Sequence, residues 1–240
     1  MGRIATITRR TALFGALALA GGVAFGWWRY VTPGDNPLEP RLAEGEVTLN
    51  PFVLVNAEGV TVVTPRAEMG QGVHSTLAAL VAEEMDLDWS AVRVMHGPPS
   101  STYYNSAAFA EALPFLPTDR SWLAEMARGI VDVPGKFVGM QMTGGSSSVA
   151  DGYNKMRLAG AAARASLVEA AARQLGIAAA QLTTEGGAVV APDGTRLAYT
   201  ELAAEAAKVQ LSGEPKLKPR EQWKLLGTSL PRVDMVPKVT

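Results

Sequence analysis

The sequence predicts an α+β fold, with short mixed sheets and helices packed on them. Three observations predict it. Short β-rich runs at 52–55, 60–64 and 92–95 are bounded by turn formers. Apolar residues recur at helical spacing over 77–85 and again along a longer run, 150–175. A second pair of β-rich runs, 183–190 and 196–199, flanks Pro192-Asp193-Gly194 and leads into a last helix over 200–209.

Each element has a local reason. Asn56-Ala57-Glu58-Gly59 is a hairpin signal between the first two strands, and Pro65 ends the second. Leu77, Leu80, Val81 and Glu84 then follow at helical spacing, and residues 86–90 make a turn before the strand at 92–95. Gly97-Pro98-Pro99 stops that strand. Residues 100–117 are small, polar and aromatic without a period; Tyr103, Tyr104 and Asn105 either face a ligand or bury their rings. Residues 121–131 predict a short helix with Trp122, Met126 and Ile130 on one face, ended by Pro134 and Gly135. The first half of the long helix is small (Ala159, Gly160, Ala161, Ala162, Ala163), so a backbone or a flat ligand can lie close to it. Gly176 closes it.

Composition narrows the function. The 240 residues carry a net charge of −1, and four arginines lie in an acid-free leader, so the remainder is mildly acidic and ill suited to nucleic acid. There is no cysteine, which excludes disulfides, thiolate zinc sites and an iron–sulfur cluster ligated by this chain. With only His74 and His96, far apart in sequence, a metal held by several histidines is not expected. Any metal must arrive inside a cofactor.

Two loops stand out. Glu68-Met69-Gly70-Gln71-Gly72 joins a strand to a helix. Its glycines allow close backbone approach, Gln71 adds a donor and an acceptor, and the following helix N-terminus favours an anion. Thr143-Gly144-Gly145-Ser146-Ser147-Ser148 opens the long helix with two glycines and four hydroxyls. Both patterns are also what plain turns and caps look like.

Residues 1–30 read as targeting. Thr8-Arg9-Arg10-Thr11-Ala12-Leu13 resembles a twin-arginine export signal, and the charge-free run 12–28 follows. The other reading is a membrane anchor with Trp27, Trp28 and Tyr30 at an interface. Either way the destination is periplasmic, with or without an inner-membrane tether. Residues 31–48 then read as a linker, 49–212 as the folded α+β region and 213–240 as a second linker.

The first loop resembles the E-M-G-Q-G segment of the molybdenum hydroxylases, the xanthine dehydrogenase and aldehyde oxidoreductase family. Gln141-Met142 with the second loop, followed by Asp151-Gly152-Tyr153 and Arg157, is similar to the branch that holds the large (β) chain of isoquinoline 1-oxidoreductase and its aldehyde dehydrogenase relatives. The resemblance implies the N-terminal portion of a molybdopterin-binding large subunit. It also implies molybdopterin cytosine dinucleotide with molybdenum as the cofactor. By motif match, Met69, Gly70, Gln71, Gly72, Thr143, Gly144, Gly145, Ser146, Ser147 and Ser148 would contact it. The implied reaction oxidises an aldehyde or N-heteroaromatic substrate with water as the oxygen source. Electrons would pass to a small [2Fe–2S] subunit, with a cytochrome as candidate acceptor. The family's general-base Glu and a Gly-Phe-Gly segment have no counterpart up to residue 240, so no catalytic residue is assigned here. Glu68, Glu83 and Glu84 do not match that base. Residues 226–240 resemble the linker into the next domain of the family. Alternatives of the same fold are an inactive truncated or membrane-tethered binding module, or one half of a split enzyme.

Overall fold

The structure is a computed structural model that describes residues 34–110, 113–116, 119 and 121–235. The leader, and the two readings made of it, lie outside these residues. Among the described residues, no helix is long and apolar enough to cross a membrane.

Strands β1 (Val47–Asn50), β2 (Val53–Asn56), β3 (Gly59–Thr64) and β4 (Arg93–His96) form one sheet in that order. β1, β2 and β3 are antiparallel neighbours; β3 and β4 run parallel, with Val62 opposite Val94. A parallel pair needs a crossover, and α1 (Val73–Glu84) supplies it. Side chains alternate across the sheet. Val53, Val55, Val60 and Val62 enter the main core, whereas Leu54 and Val63 enter a smaller one with Leu38 and Tyr103 on the opposite face.

The chain then forms the short α2 (Ala107–Ala110), α3 (Trp122–Val138) and the 29-residue α4 (Ser147–Leu175). A second antiparallel sheet follows: β5 (Thr183–Glu185), β6 (Ala188–Val190) and β7 (Arg196–Ala198). The last helix, α5 (Tyr199–Ala206), is tied to α1 by the Tyr199 hydroxyl, which donates to the Met85 carbonyl at 2.7 Å. Leu77, Val81, Met85, Met156, Leu167 and Leu202 fill the space between the helices and the first sheet.

α1 and α4 pack closely and run in the same direction. Gly152 faces Leu77, and eight residues on, Gly160 faces Val81 and Glu84. A Cβ at Gly160 would sit 2.9 Å from the Val81 carbonyl oxygen. The small first half of α4 therefore accommodates another backbone, that of α1. Parallel helices put their N-termini, and the two loops, at the same end.

The structure corrects several expectations. Linker 31–48 is partly core: Leu38 is 2 % exposed, and β1 begins at Val47. The predicted strand 183–190 is two strands, because Gly186 and Gly187 both take positive φ and turn the chain between them. α3 runs through Pro134 and Gly135 to Val138. The carbonyl that Pro134 cannot pair belongs to Ile130, an exposed residue that water can reach, and Gly139 caps the helix in the left-handed region. Along α3, Trp122, Met126, Ile130, Val133 and Phe137 form an apolar stripe that is left exposed.

The stretch expected to be a second linker is bolted down as far as the structure describes it. Glu83 accepts from the amides of Lys224, Leu225 and Leu226 at 2.9, 2.6 and 3.0 Å. Glu84 accepts from Arg157 at 2.8 Å and from the Lys218 amide at 2.9 Å. Both carboxylates are buried and spent on these bonds. Residues 216–226 thus make a strap across α1 and α4. A cavity of about 300 Å³, lined in part by Glu83, Asp86, Trp89, Glu185 and Lys224, lies in this seam at the C-terminal end of α1, the end opposite the loops.

Gly160→Ala is expected to force α1 and α4 apart and cost about 1–3 kcal/mol. Gly129→Ala in α3 is the control: it meets nothing within 4 Å and should be neutral or gain up to ~1 kcal/mol from helix propensity. Urea unfolding of both variants checks the difference.

Candidate functional site

The two loops meet. The Ala67 amide donates to Thr143 Oγ1 at 2.8 Å, and Gln141 Nε2 donates to the Pro65 carbonyl at 3.2 Å. Beneath them lies a buried pair: Arg66 Nη2 donates to Asp151 Oδ2 at 2.5 Å, with both side chains 1 % exposed. Arg66 also donates to the carbonyls of Pro65, Tyr103 and Tyr104. Asp151 Oδ1 takes the Ser106 amide and Lys155 Nζ. Burial pulls the Arg66 and Lys155 pKa values down and the Asp151 carboxylate pulls each back up. Asp151 is thus the counter-ion on which both cations depend. Sequence reasoning missed Arg66 altogether; a lone arginine after Pro65 carries no local sign that it will be buried.

The first loop is folded around its own glutamate. Glu68 Oε1 accepts from the amides of Gly70 (2.7 Å) and Gly72 (3.0 Å), and Oε2 accepts from the His74 amide (3.1 Å). The anion seat at the start of α1, expected for a ligand, is therefore filled by the Glu68 carboxylate. Burial works against ionising Glu68, but these amides and the neighbouring Arg232 outweigh it and hold its pKa below the ordinary 4.5. Gln71 folds back too, accepting from the Met69 amide at 2.6 Å and donating to the Ala67 carbonyl at 2.9 Å. What this loop presents outward is an exposed Met69 and Gln71, and two glycines with nothing within 4 Å of where a Cβ would stand.

The second loop is the freer one. Gly145 and Ser146 are exposed and left-handed, at φ 56° and 54°. Ser147 is consumed inside: its hydroxyl donates to the Gly144 carbonyl at 2.6 Å and accepts from Asn105 Nδ2 at 2.8 Å. Thr143 is consumed by the Ala67 amide. The Ser146 and Ser148 hydroxyls bond to no side chain or carbonyl among the described residues. They stand with the first-turn amides of α4, a donor set suited to phosphate or a pterin oxygen.

Tyr103 and Asn105 do not face a ligand. Tyr103 is buried, donates to the Pro51 carbonyl and has its pKa driven above the ordinary 10 by burial. Asn105 braces the second loop through Met142 and Ser147. The two histidines, distant in sequence, are neighbours: their rings are 6.0 Å apart because β4 ends beside the start of α1. Burial lowers the His74 pKa, and its Nε2 must donate to the Arg66 carbonyl at 2.9 Å. Among the described residues, no three His, Asp or Glu side chains are grouped to hold a metal ion.

This geometry is two glycine-bearing loops, crosslinked, at the N-termini of two parallel helices. A model of the molybdopterin cofactor-binding domain matches residues 22–113, which include the first loop. Across 97 % of its length the chain is 29 % identical to the beta chain of the isoquinoline 1-oxidoreductase of Brevundimonas diminuta. The chain is thus similar to a molybdopterin cofactor-binding domain and to one part of this oxidoreductase subunit. The hydroxylase-like chain is also 27 % identical, over 94 % of its length, to the membrane-bound aldehyde dehydrogenase [pyrroloquinoline-quinone] of Gluconacetobacter polyoxogenes. A further 27 % identity, over 88 % of the chain, is to one subunit of the nicotinate dehydrogenase of Pseudomonas putida. The chain spans 30 %, 25 % and 15 % of the lengths of these three relatives. The partial match to a molybdopterin cofactor-binding domain and the α+β architecture are compatible, and the donor set fits such a cofactor with one amendment. In the first loop Glu68 takes the Gly70 and Gly72 amides, which leaves the open glycine faces and an exposed Gln71 that must first release its bonds to Met69 and Ala67.

Asp151→Ala, which strands Arg66 in the core, is expected to cost about 3–5 kcal/mol, measured by urea unfolding. For Glu68, the folded pKa lies below the unfolded one. Its stabilisation is complete above the ordinary 4.5 and is lost as pH falls through the lower, folded value. A carboxyl-carbon NMR titration should place the Glu68 midpoint below 4.5, and Glu68→Gln should flatten that part of the acid-stability profile.

Proposed function

We propose that this chain is the cofactor-contacting N-terminal portion of a molybdopterin-dependent oxidoreductase large subunit. The observation that carries the reading is the Ala67–Thr143 bond, which joins the two family-like loops at the common end of α1 and α4. In this reading Gln71, once turned out of its loop, and the open backbone at Gly70 and Gly72 would hold one side of the cofactor. Gly145, Ser146, Ser148 and the start of α4 would hold an anionic part. Thr143, Gly144 and Ser147 shape the loop rather than touch the ligand. Met69 would shield the site from water.

When bound, the cofactor supplies the two-electron oxidation, here of an aldehyde or N-heteroaromatic compound with water as the oxygen source. The cytosine dinucleotide form is the one the loop resemblance favours. The residues of this chain bind, orient and exclude water, and the three glutamates Glu68, Glu83 and Glu84 are committed elsewhere. Glu83 and Glu84 are locked into the strap, and Glu68 into its amides.

The partners in this reading are the rest of a large subunit, covering the exposed α3 stripe, and a small [2Fe–2S] subunit that receives the electrons. The stripe supports the first of these: five large apolar side chains on one helix face exceed the scattered exposure usual for a free surface. The leader motif supports export to the periplasm, with the 12–28 run as signal or tether.

Three outcomes test this. Gln71→Ala in the assembled enzyme should lower molybdenum content by at least about half, measured by plasma mass spectrometry, since one first-loop donor of about 1 kcal/mol is removed. Unchanged content overturns the role of the loop. Acid release of the bound cofactor should yield cytidine monophosphate. The isolated chain, at 25.3 kDa, should turn over neither an aldehyde nor isoquinoline.

A further inference from the structure

The segment 231–234 lies on the first loop. The Val233 amide donates to Ser75 Oγ at 3.1 Å, and Trp89 Nε1 donates to the Pro231 carbonyl at 2.8 Å, which pins both sides of Arg232. Asp234 grips the guanidinium through two bonds, Nε to Oδ1 at 2.9 Å and Nη2 to Oδ2 at 2.7 Å. That fixes the plane of the fork. The remaining donors meet the loop: Nη1 reaches the Gly70 carbonyl at 2.7 Å, and Nη2 reaches Glu68 Oε1 at 3.0 Å.

These are the two places that frame Gln71. Its preceding carbonyl is held by Arg232 directly. The amides of Gly70 and Gly72, on either side of it, end on the carboxylate that Arg232 holds. We infer that Arg232 is a positioning residue for the cofactor loop, setting the attitude of Gln71 through Glu68 and the Gly70 carbonyl from 160 or so residues away in sequence. This rests on the reading of the loop as a cofactor contact, but the clamp itself is independent of it.

The chemistry of the clamp makes a sharp demand. A guanidinium can chelate Asp234 and still offer donors to two other groups, whereas an ammonium is a single point with three rotatable donors. Charge alone is therefore not enough.

The test uses the full chain for exchange and the assembled enzyme for metal. In Arg232→Ala, amide exchange at Gly70, Gly72 and His74 should rise about ten-fold or more, with Leu167 and Ala171 in α4 unchanged. Arg232→Lys should behave like the alanine variant rather than the wild type. Molybdenum content of the assembled enzyme should fall with both variants. Exchange at the three loop amides within about two-fold of wild type in Arg232→Ala, or full rescue by lysine, overturns the proposal. So does faster loop exchange with unchanged molybdenum when Gln71→Ala lowers it. If Gln71→Ala also leaves molybdenum unchanged, the cofactor reading of the loop fails, while the exchange result still decides whether the clamp exists.

Discussion

The close, parallel contact of α1 with α4 is the constraint on which everything else rests. It depends on two missing side chains, at Gly152 and Gly160. Because the Leu77 side chain packs onto Gly152 and the α1 backbone at Val81 packs onto Gly160, their N-termini finish level and the loops that precede them can bond to each other. Had the helices run in opposite directions, the loops would lie more than 15 Å apart, since even 12 residues of helix rise about 18 Å. Dispersion contacts and apolar burial hold the pair together, but small residues decide how near it can come.

Charge plays a second, more local part. Three carboxylates are taken out of solvent and each is answered several times over: Asp151 by Arg66, Lys155 and the Ser106 amide, Glu84 by Arg157 and the Lys218 amide, Glu83 by three amides of the strap. Buried ions are costly unless matched in this way. Their reward here is specificity of placement, because each group has one geometry in which all its partners are satisfied. The same logic operates in Glu68, whose carboxylate organises three amides into one tight loop.

Much of this is legible in the chain. The β2–β3 hairpin, α1, β4 and α4 follow from period and turn chemistry, and the two loops are visible as glycine-rich entries to helices. Pairing over long distances is not legible. Nothing near Arg66 announces Asp151, 85 positions on, and nothing in residues 216–226 announces Glu83 and Glu84. The strap looks like a linker because its proline and lysine content is that of a linker; its order comes from carboxylates elsewhere. Gln71 is legible as a loop amide, but not that the loop's own Glu68 would occupy the seat beside it. The passage of α3 through Pro134 is likewise a tertiary effect, favoured by Gly135 packing on α2 and by the solvent at Ile130.

The strap carries a consequence for the order of assembly. Glu83 meets Lys224, Leu225 and Leu226 across about 140 residues of chain, and the loop meets Arg232 across 162. Contacts of such long separation form late, after the entropy of closing the intervening chain has been overcome. During synthesis, the first loop is made early and stays without its clasp until Arg232 has left the ribosome. The chain thereby keeps its own clock: a loop clasped by residues 231–234 is not finished before they exist.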